Sequence, residues 1–91
     1  MKHVQTLDEI KIGDLYFVVD TQEKDRWWVI EIISRKDHYP HRYRILRSRE
    51  RPNGYTHEEL NGSSVHPNWL NPEGQYLLME MTEEEKALAA L

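Results

Sequence analysis

Residues 26–35 limit the fold most, because their apolar side chains alternate in the manner of a buried β-strand. On one face of an extended chain, Trp28, Ile30 and Ile32 leave no polar position. The opposite face is also apolar except at Glu31. We therefore predict a long central strand whose inner face lies in the core and whose outer face is only partly sheltered.

Four other segments carry strand or hairpin signals. Residues 15–20 and 75–81 alternate in the same way, and residues 42–50 alternate more weakly. Residues 51–54 read Arg-Pro-Asn-Gly, a tight-turn sequence, because proline presets the first turn dihedral and Asn-Gly readily supplies a positive φ. This turn predicts a hairpin between the third strand and a fourth strand at residues 55–60.

The stretch at residues 61–74 is rich in Asn, Pro and Gly, so it is predicted to form a long loop. Trp69 and Leu70 lie inside it and are expected to anchor it to the core. A long loop in so small a chain is otherwise typical of a functional segment.

The chain ends with a helix signal at residues 82–91. Thr82 and Glu85 have capping-box spacing, and the acidic residues around them favour the positive end of the helix dipole. The sequence therefore predicts a mainly β fold, with a five-stranded barrel at about residues 10–81 and a short C-terminal α-helix. A chain of 91 residues supports one core, so residues 1–91 are predicted to form a single domain.

Three segments carry a likeness to a known architecture. They are residues 12–16 (Ile-Gly-Asp-Leu-Tyr), residues 28–30 (Trp-Val-Ile) and the turn at residues 52–54 (Pro-Asn-Gly). Over roughly residues 11–81 the chain resembles the SH3-like small β-barrels, in architecture and not in any family-specific binding motif. The resemblance implies a barrel that binds a partner, and such barrels include nucleic-acid binders, histone readers and phage proteins.

The composition excludes several kinds of chemistry. The sequence has no cysteine, which removes disulfides, thiolate nucleophiles and cysteine zinc sites and suggests a reducing, cytoplasmic compartment. No stretch is apolar for long enough to be a signal peptide or a membrane span. A glycine-rich phosphate loop, a nucleophile elbow and a catalytic carboxylate pair are all missing from the sequence. We therefore predict a binding protein that is not an enzyme and needs no cofactor.

Positive charge is concentrated in residues 35–51, which hold seven basic and two acidic residues, although the whole chain carries −4. Arginine interleaved with tyrosine, here including Tyr39, is the combination that contacts phosphates and stacks on bases. We therefore predict that this segment binds a negatively charged partner, above all nucleic acid. The candidate residues are Arg35, Lys36, Arg42, Tyr43, Arg44, Arg47, Arg49 and Arg51, with Trp27 as an exposed aromatic candidate on the second strand.

Other interpretations of the same residues stay open. A regular strand would place Arg42 and Arg44 on one face and Arg47, Arg49 and Arg51 on the other, unless a bulge reorients them. Alternatively, the arginines belong to a solvated strand and loop and pair with carboxylates of the acidic flanks. The alternative for Trp27 is that it closes the barrel or packs under the C-terminal helix. The rival function is a protein-binding adaptor or inhibitor of the phage or mobile-element type, which would act through Trp27, the loop at residues 61–74 or the acidic helix.

Two further expectations concern the histidines and the oligomeric state. His38 and His41 are three residues apart, but Pro40 lies between them and no cysteine accompanies them, so we predict surface histidines and no metal site. An unpaired edge strand would let two copies of the chain associate, so the sequence is compatible with a homodimer.

Overall fold

The computed structural model of the protein describes residues 2–23, 25–49 and 61–89. Short 3₁₀ turns at Leu7–Glu9 and Pro67–Leu70 precede β1 and β4. The predicted strands at residues 15–20, 26–35 and 42–50 are confirmed to within two residues at each end, as is the predicted strand at residues 75–81. The regular elements of the described residues are β1 at Leu15–Asp20, β2 at Trp27–Ser34, β3 at Arg42–Ser48, β4 at Tyr76–Glu80 and α1 at Glu83–Ala89.

The four strands form one antiparallel sheet in the order β3-β2-β1-β4. In the part of the chain that the structure describes, β3 and β4 are the outer strands and do not pair with each other, so the sheet is open. The predicted closure into a five-stranded barrel is therefore not seen. The turn at residues 51–54 and the fourth strand at residues 55–60 lie outside the described residues. The coarser prediction of a mainly β fold with a C-terminal helix is confirmed.

Short extended segments cover parts of both outer strands. Beside β4, the backbone N–H of Val4 donates to the carbonyl of Leu78 over 2.8 Å. Beside β3, the N–H of Gly62 donates to the carbonyl of Tyr43 over 2.8 Å, and the N–H of Tyr43 donates to the carbonyl of Ser63 over 3.0 Å. At these positions the backbone groups of the outer strands already have partners within the chain, which protects the edges against pairing with another molecule.

The inner face of the sheet carries the hydrophobic core. Trp28, Ile30 and Ile32 of β2 are all buried in it, as the alternation predicted. Trp69 and Leu70 pack against the core from the second 3₁₀ turn, which confirms them as loop anchors. The buried cluster consists of Val4, Ile10, Tyr16, Val18, Trp28, Ile30, Ile32, Tyr43, Ile45, Val65 and Leu78.

The helix α1 lies against the outer face of the sheet. Its predicted capping box is present, because the N–H of Thr82 donates to Oε1 of Glu85 over 2.9 Å and the N–H of Glu85 donates to Oγ1 of Thr82 over 3.1 Å. Lys86 Nζ lies 2.7 Å from Oδ1 of Asp14 and ties the helix to the start of β1. Leu88 stays 60% exposed, so the helix covers the sheet incompletely. None of the described helices has the length and apolarity to cross a bilayer.

Candidate nucleic-acid interface

A β-bulge in β3 determines where the arginine side chains point. Val29 of β2 pairs with Arg47, but the next residue, Ile30, pairs with Ile45, so Leu46 is an extra residue on β3. Without the bulge, regular alternation from Ile45 would turn Arg47 into the core, where a charged group costs several kcal/mol. The bulge therefore lets Ile45 stay buried while Arg47 is exposed.

The bulge gathers the arginines of β3 on the outer face of the sheet. Arg44 pairs with Glu31 and Arg47 pairs with Val29, and both partners lie on the outer face of β2. Because directly opposite residues of paired strands project to the same side, both arginines also face outward. The division over two faces that a regular strand predicts is thus avoided. The exposed side chains that we call the arginine face are those of Arg42, Arg44, Arg47 and Arg49.

Carboxylates neutralise part of the arginine face. Nε of Arg44 donates to Oε1 of Glu31 over 2.6 Å, and Nη2 of Arg49 lies 3.9 Å from Oδ1 of Asp25. The interpretation in which the arginines pair with acidic flanks therefore holds for Arg44 and Arg49 at least. Solvent-accessible pairs of this kind contribute about 0–1 kcal/mol each, so an incoming phosphate can displace them at little cost.

Arg35 and Tyr43, two of the predicted contact residues, have structural positions instead. Arg35 Nε donates to the carbonyl of Tyr39 over 3.0 Å, and its Nη1 lies 3.4 Å from Oδ1 of Asp8. Tyr43 is buried on the inner face, where its ring centroid lies 5.5 Å from that of Trp69. Burial also raises the pKa of the Tyr43 hydroxyl. Neither side chain belongs to the arginine face.

Two further predicted contact residues are Trp27 and Arg51, and neither is placed on the arginine face by the described structure. Trp27 is half-buried on the outer face, with its ring edge-on to Phe17 at a centroid distance of 6.0 Å. It lines a recess of about 280 Å³ with Val29 and Leu88. This position agrees with packing under α1. Arg51 lies outside the described residues.

A second recess lies at the Arg42 end of the arginine face. It has a volume of about 310 Å³ and is lined by Lys36, Tyr39, Pro40, Arg42 and Ser64. The Tyr39 side chain is 67% exposed there. Within residues 2–23, 25–49 and 61–89, no carboxylate lies within ion-pair distance of either cation. We call this site the Tyr39 recess. Charge predicts Lys36 as a contact residue, whereas Tyr39 stands out in the sequence only as an aromatic residue among basic ones.

His41 is buried, which corrects the prediction that it is a surface histidine. Only 2% of it is exposed. Burial lowers the pKa of His41 from its usual 6.5, and the charge of Arg35 lowers it further, against opposing effects of Asp8 and of a hydrogen bond to the backbone of Ile10. His38 is exposed. Among the described residues no three His, Asp or Glu side chains gather in a way that could hold a metal ion.

The buried His41 predicts a loss of stability in mild acid. Below the ordinary pKa of 6.5 the unfolded chain takes up a proton more readily than the folded protein, so the free energy of unfolding falls as the pH falls. Above that pKa the contribution of His41 is complete and constant. We expect urea unfolding between about pH 8 and about pH 5 to show this decline.

Two variants test whether the His41 imidazole causes this pH dependence. His41→Gln should flatten the plot of unfolding free energy against pH below pH 6.5, whatever its effect on stability at higher pH. His38→Gln removes an exposed histidine from the same loop and should retain the wild-type curve. An identical slope for wild type and His41→Gln would contradict the assignment.

No protein-family model matches the sequence, and no curated protein and no solved structure shows significant similarity to it. Evidence for the function of this protein therefore comes from its own structure. The two relevant features are the arginine face and the Tyr39 recess at the Arg42 end of that face.

Proposed function

We propose that this protein binds nucleic acid through the arginine face. The observation that carries the proposal is the bulge at Leu46, which places Arg47 and Arg49 on the same exposed surface as Arg42 and Arg44. Guanidinium groups donate paired, directional hydrogen bonds to phosphate oxygens. Guanidinium groups spaced along an extended strand match the regularly spaced phosphates of a nucleic-acid backbone.

The charge distribution favours binding at this face over the rest of the surface. The chain carries −4 overall, so most of its surface repels a polyanion. Binding then depends on a few phosphate contacts and on the counterions that they release. For four contacts with a single strand, the logarithm of the affinity should fall with the logarithm of the salt concentration with a slope of about −3.

The direct test is fluorescence anisotropy with labelled DNA and RNA oligonucleotides, single-stranded and double-stranded, at several salt concentrations. We expect the double variant Arg44→Ala with Arg47→Ala to bind at least about tenfold more weakly, with a salt slope smaller by about 1.4 on a single strand and by about 1.8 on a duplex. Lys11→Ala is the matched control, because Lys11 is an exposed cation that lines a cleft near α1 instead. No binding at low salt, or equal affinity of the double variant and wild type, would overturn the proposal.

Removal of the carboxylate beside Arg44 should strengthen binding. Glu31→Gln keeps the shape of the side chain but abolishes the 2.6 Å ion pair, so the guanidinium no longer has to exchange one anion for another. A pair of up to about 1 kcal/mol corresponds to an affinity gain of up to about fivefold. In the same anisotropy titration Glu73→Gln, a change in an exposed loop, should leave the affinity at the wild-type level. Weaker binding by Glu31→Gln than by wild type would contradict a competition between Glu31 and phosphate for Arg44.

A protein partner is the second candidate, favoured by the recess under α1. Phe17, Trp27 and Leu88 line this apolar recess beside Arg47, and Leu88 is largely exposed. A pull-down with and without nuclease separates the two functions. Retention of a stoichiometric protein after nuclease treatment supports an adaptor, whereas loss of all partners supports nucleic-acid binding.

The SH3-like barrel is part of this proposal. Its support is the β1-β2-β3 meander and the backbone pairing of residues 61–65 beside β3. A crystal structure in which the sheet stays open between β3 and β4 would contradict it. A cytoplasmic location is proposed from the absence of cysteine. Homodimer formation remains a prediction, which light scattering after size-exclusion chromatography measures.

A further inference from the structure

We infer that the Tyr39 recess holds one nucleotide of a single-stranded nucleic acid, with its base on the Tyr39 ring and its phosphate between Lys36 and Arg42. The inference rests on the proposed function and narrows it, because it names the strand state of the ligand. Arg42 belongs both to the recess and to the arginine face. A strand anchored in the recess can therefore continue along Arg44 and Arg47.

Hydrogen bonds hold the backbone around Tyr39 in a defined turn. The N–H of Tyr39 donates to the carbonyl of Lys36 over 3.0 Å, and the carbonyl of Tyr39 accepts from Arg35 Nε, also over 3.0 Å. Asp37 closes the turn with a φ of 52°, and Pro40 restricts the residue before it to an extended conformation. The exposed ring therefore extends from an ordered turn, so little backbone freedom is lost when a base stacks on it.

The two cations of the recess are available to a phosphate. Arg44 and Arg49 have carboxylate partners, but among the described residues neither Lys36 nor Arg42 does. The Lys36 ammonium and the Arg42 guanidinium both donate charge-assisted hydrogen bonds, which are stronger than neutral ones. Two cations that have no carboxylate partner in the described part of the chain, beside an exposed aromatic ring, match the two parts of a nucleotide.

The exposed ring favours a single strand over a duplex. In a duplex each base is stacked between its neighbours and paired, so its face is not accessible to a side chain. In a single strand the base is accessible, and stacking on an aromatic side chain contributes about 1–3 kcal/mol per base. The arginine face alone would contact the phosphates of either form.

The test is an anisotropy titration of wild type, Tyr39→Ala and Tyr39→Phe with a homopolymeric single strand and with a duplex of equal length. We expect Tyr39→Ala to weaken single-strand binding about tenfold and duplex binding by less than about twofold. Tyr39→Phe keeps the stacking surface and should bind like wild type. Lys36→Ala should weaken the binding of both the single strand and the duplex. It should also reduce the slope of log affinity against log salt concentration by about one.

The outcomes distinguish this inference from the proposed function. If Tyr39→Ala binds the single strand like wild type while Arg44→Ala with Arg47→Ala still weakens binding, the recess inference is wrong and the arginine face stands. If neither strand form binds wild type at low salt, both are wrong. A free mononucleotide that competes as well as the oligonucleotide would also overturn the inference, because the recess would then serve a small molecule.

Discussion

Replacement of Ile32 by alanine is expected to lower the free energy of unfolding by about 3 kcal/mol, because it deletes buried methyl groups from the centre of the core. Ile32 is 0% exposed and lies on the inner face of β2. Its backbone is held by the segment that leads into β1, since its N–H donates to the carbonyl of Asp14 over 3.1 Å and its carbonyl accepts from the N–H of Gly13 over 2.7 Å. The surrounding chain therefore has little freedom to collapse into the cavity.

The neighbouring residue supplies a matched control. Ile33 is 42% exposed at the irregularity where β2 and β3 shift register, so Ile33→Ala should cost less than about 1 kcal/mol. Urea denaturation of both variants measures the difference. Equal losses for the two substitutions would contradict the assignment of the inner and outer faces of β2.

Substitution of Gly74 by alanine is expected to destabilise the protein by about 2 kcal/mol through overpacking. A Cβ atom at this position would lie 2.7 Å from the carbonyl oxygen of Asn68 and 3.2 Å from that of Asn71. Both are backbone atoms, and the N–H of Gly74 already donates to Asn71 over 2.9 Å, so the loop has to open to make room.

Thermal unfolding followed by circular dichroism measures this cost. The adjacent substitution Gln75→Ala is the control, because Gln75 is exposed and alanine keeps its backbone contacts, so a change of less than about 0.5 kcal/mol is expected. Gly74→Ala should not alter nucleic-acid binding, because Gly74 lines a different recess from Tyr39. A stability equal to that of Gln75→Ala would mean that the loop tolerates a Cβ and is not as tightly closed as the distances indicate.

The candidate interface was only partly predictable from the sequence. Charge alone identified Lys36, Arg42, Arg44 and Arg47, because clustering of like charges is visible without coordinates. The sequence indicates a bulge only indirectly. Regular alternation would turn Tyr43, Ile45 and Arg47 all inward, and burial of the Arg47 charge costs too much free energy. The position of the bulge at Leu46 depends on how β3 pairs with β2.

Tyr43 and Tyr39 show why the aromatic candidates were harder to assign. Both alternate with basic residues in the same segment, so local sequence treats them alike. Tyr43 becomes a core residue because Trp69, from the distant loop, packs on its ring. Tyr39 is exposed in the turn between β2 and β3, where Arg35 Nε donates to its carbonyl. The burial of Tyr43 therefore depends on a contact between segments far apart in the chain.

The sequence by itself determined the strands, the inner face of β2 and the capped helix, because alternation and capping depend on residues only a few positions apart. Tertiary structure alone decided which cations share a surface, which keep a carboxylate partner and which histidine is buried. Those properties depend on strand register and on packing between distant segments. The basic segment was thus recognised from its composition, but its division into an arginine face, a positioning Arg35 and the Tyr39 recess required the fold.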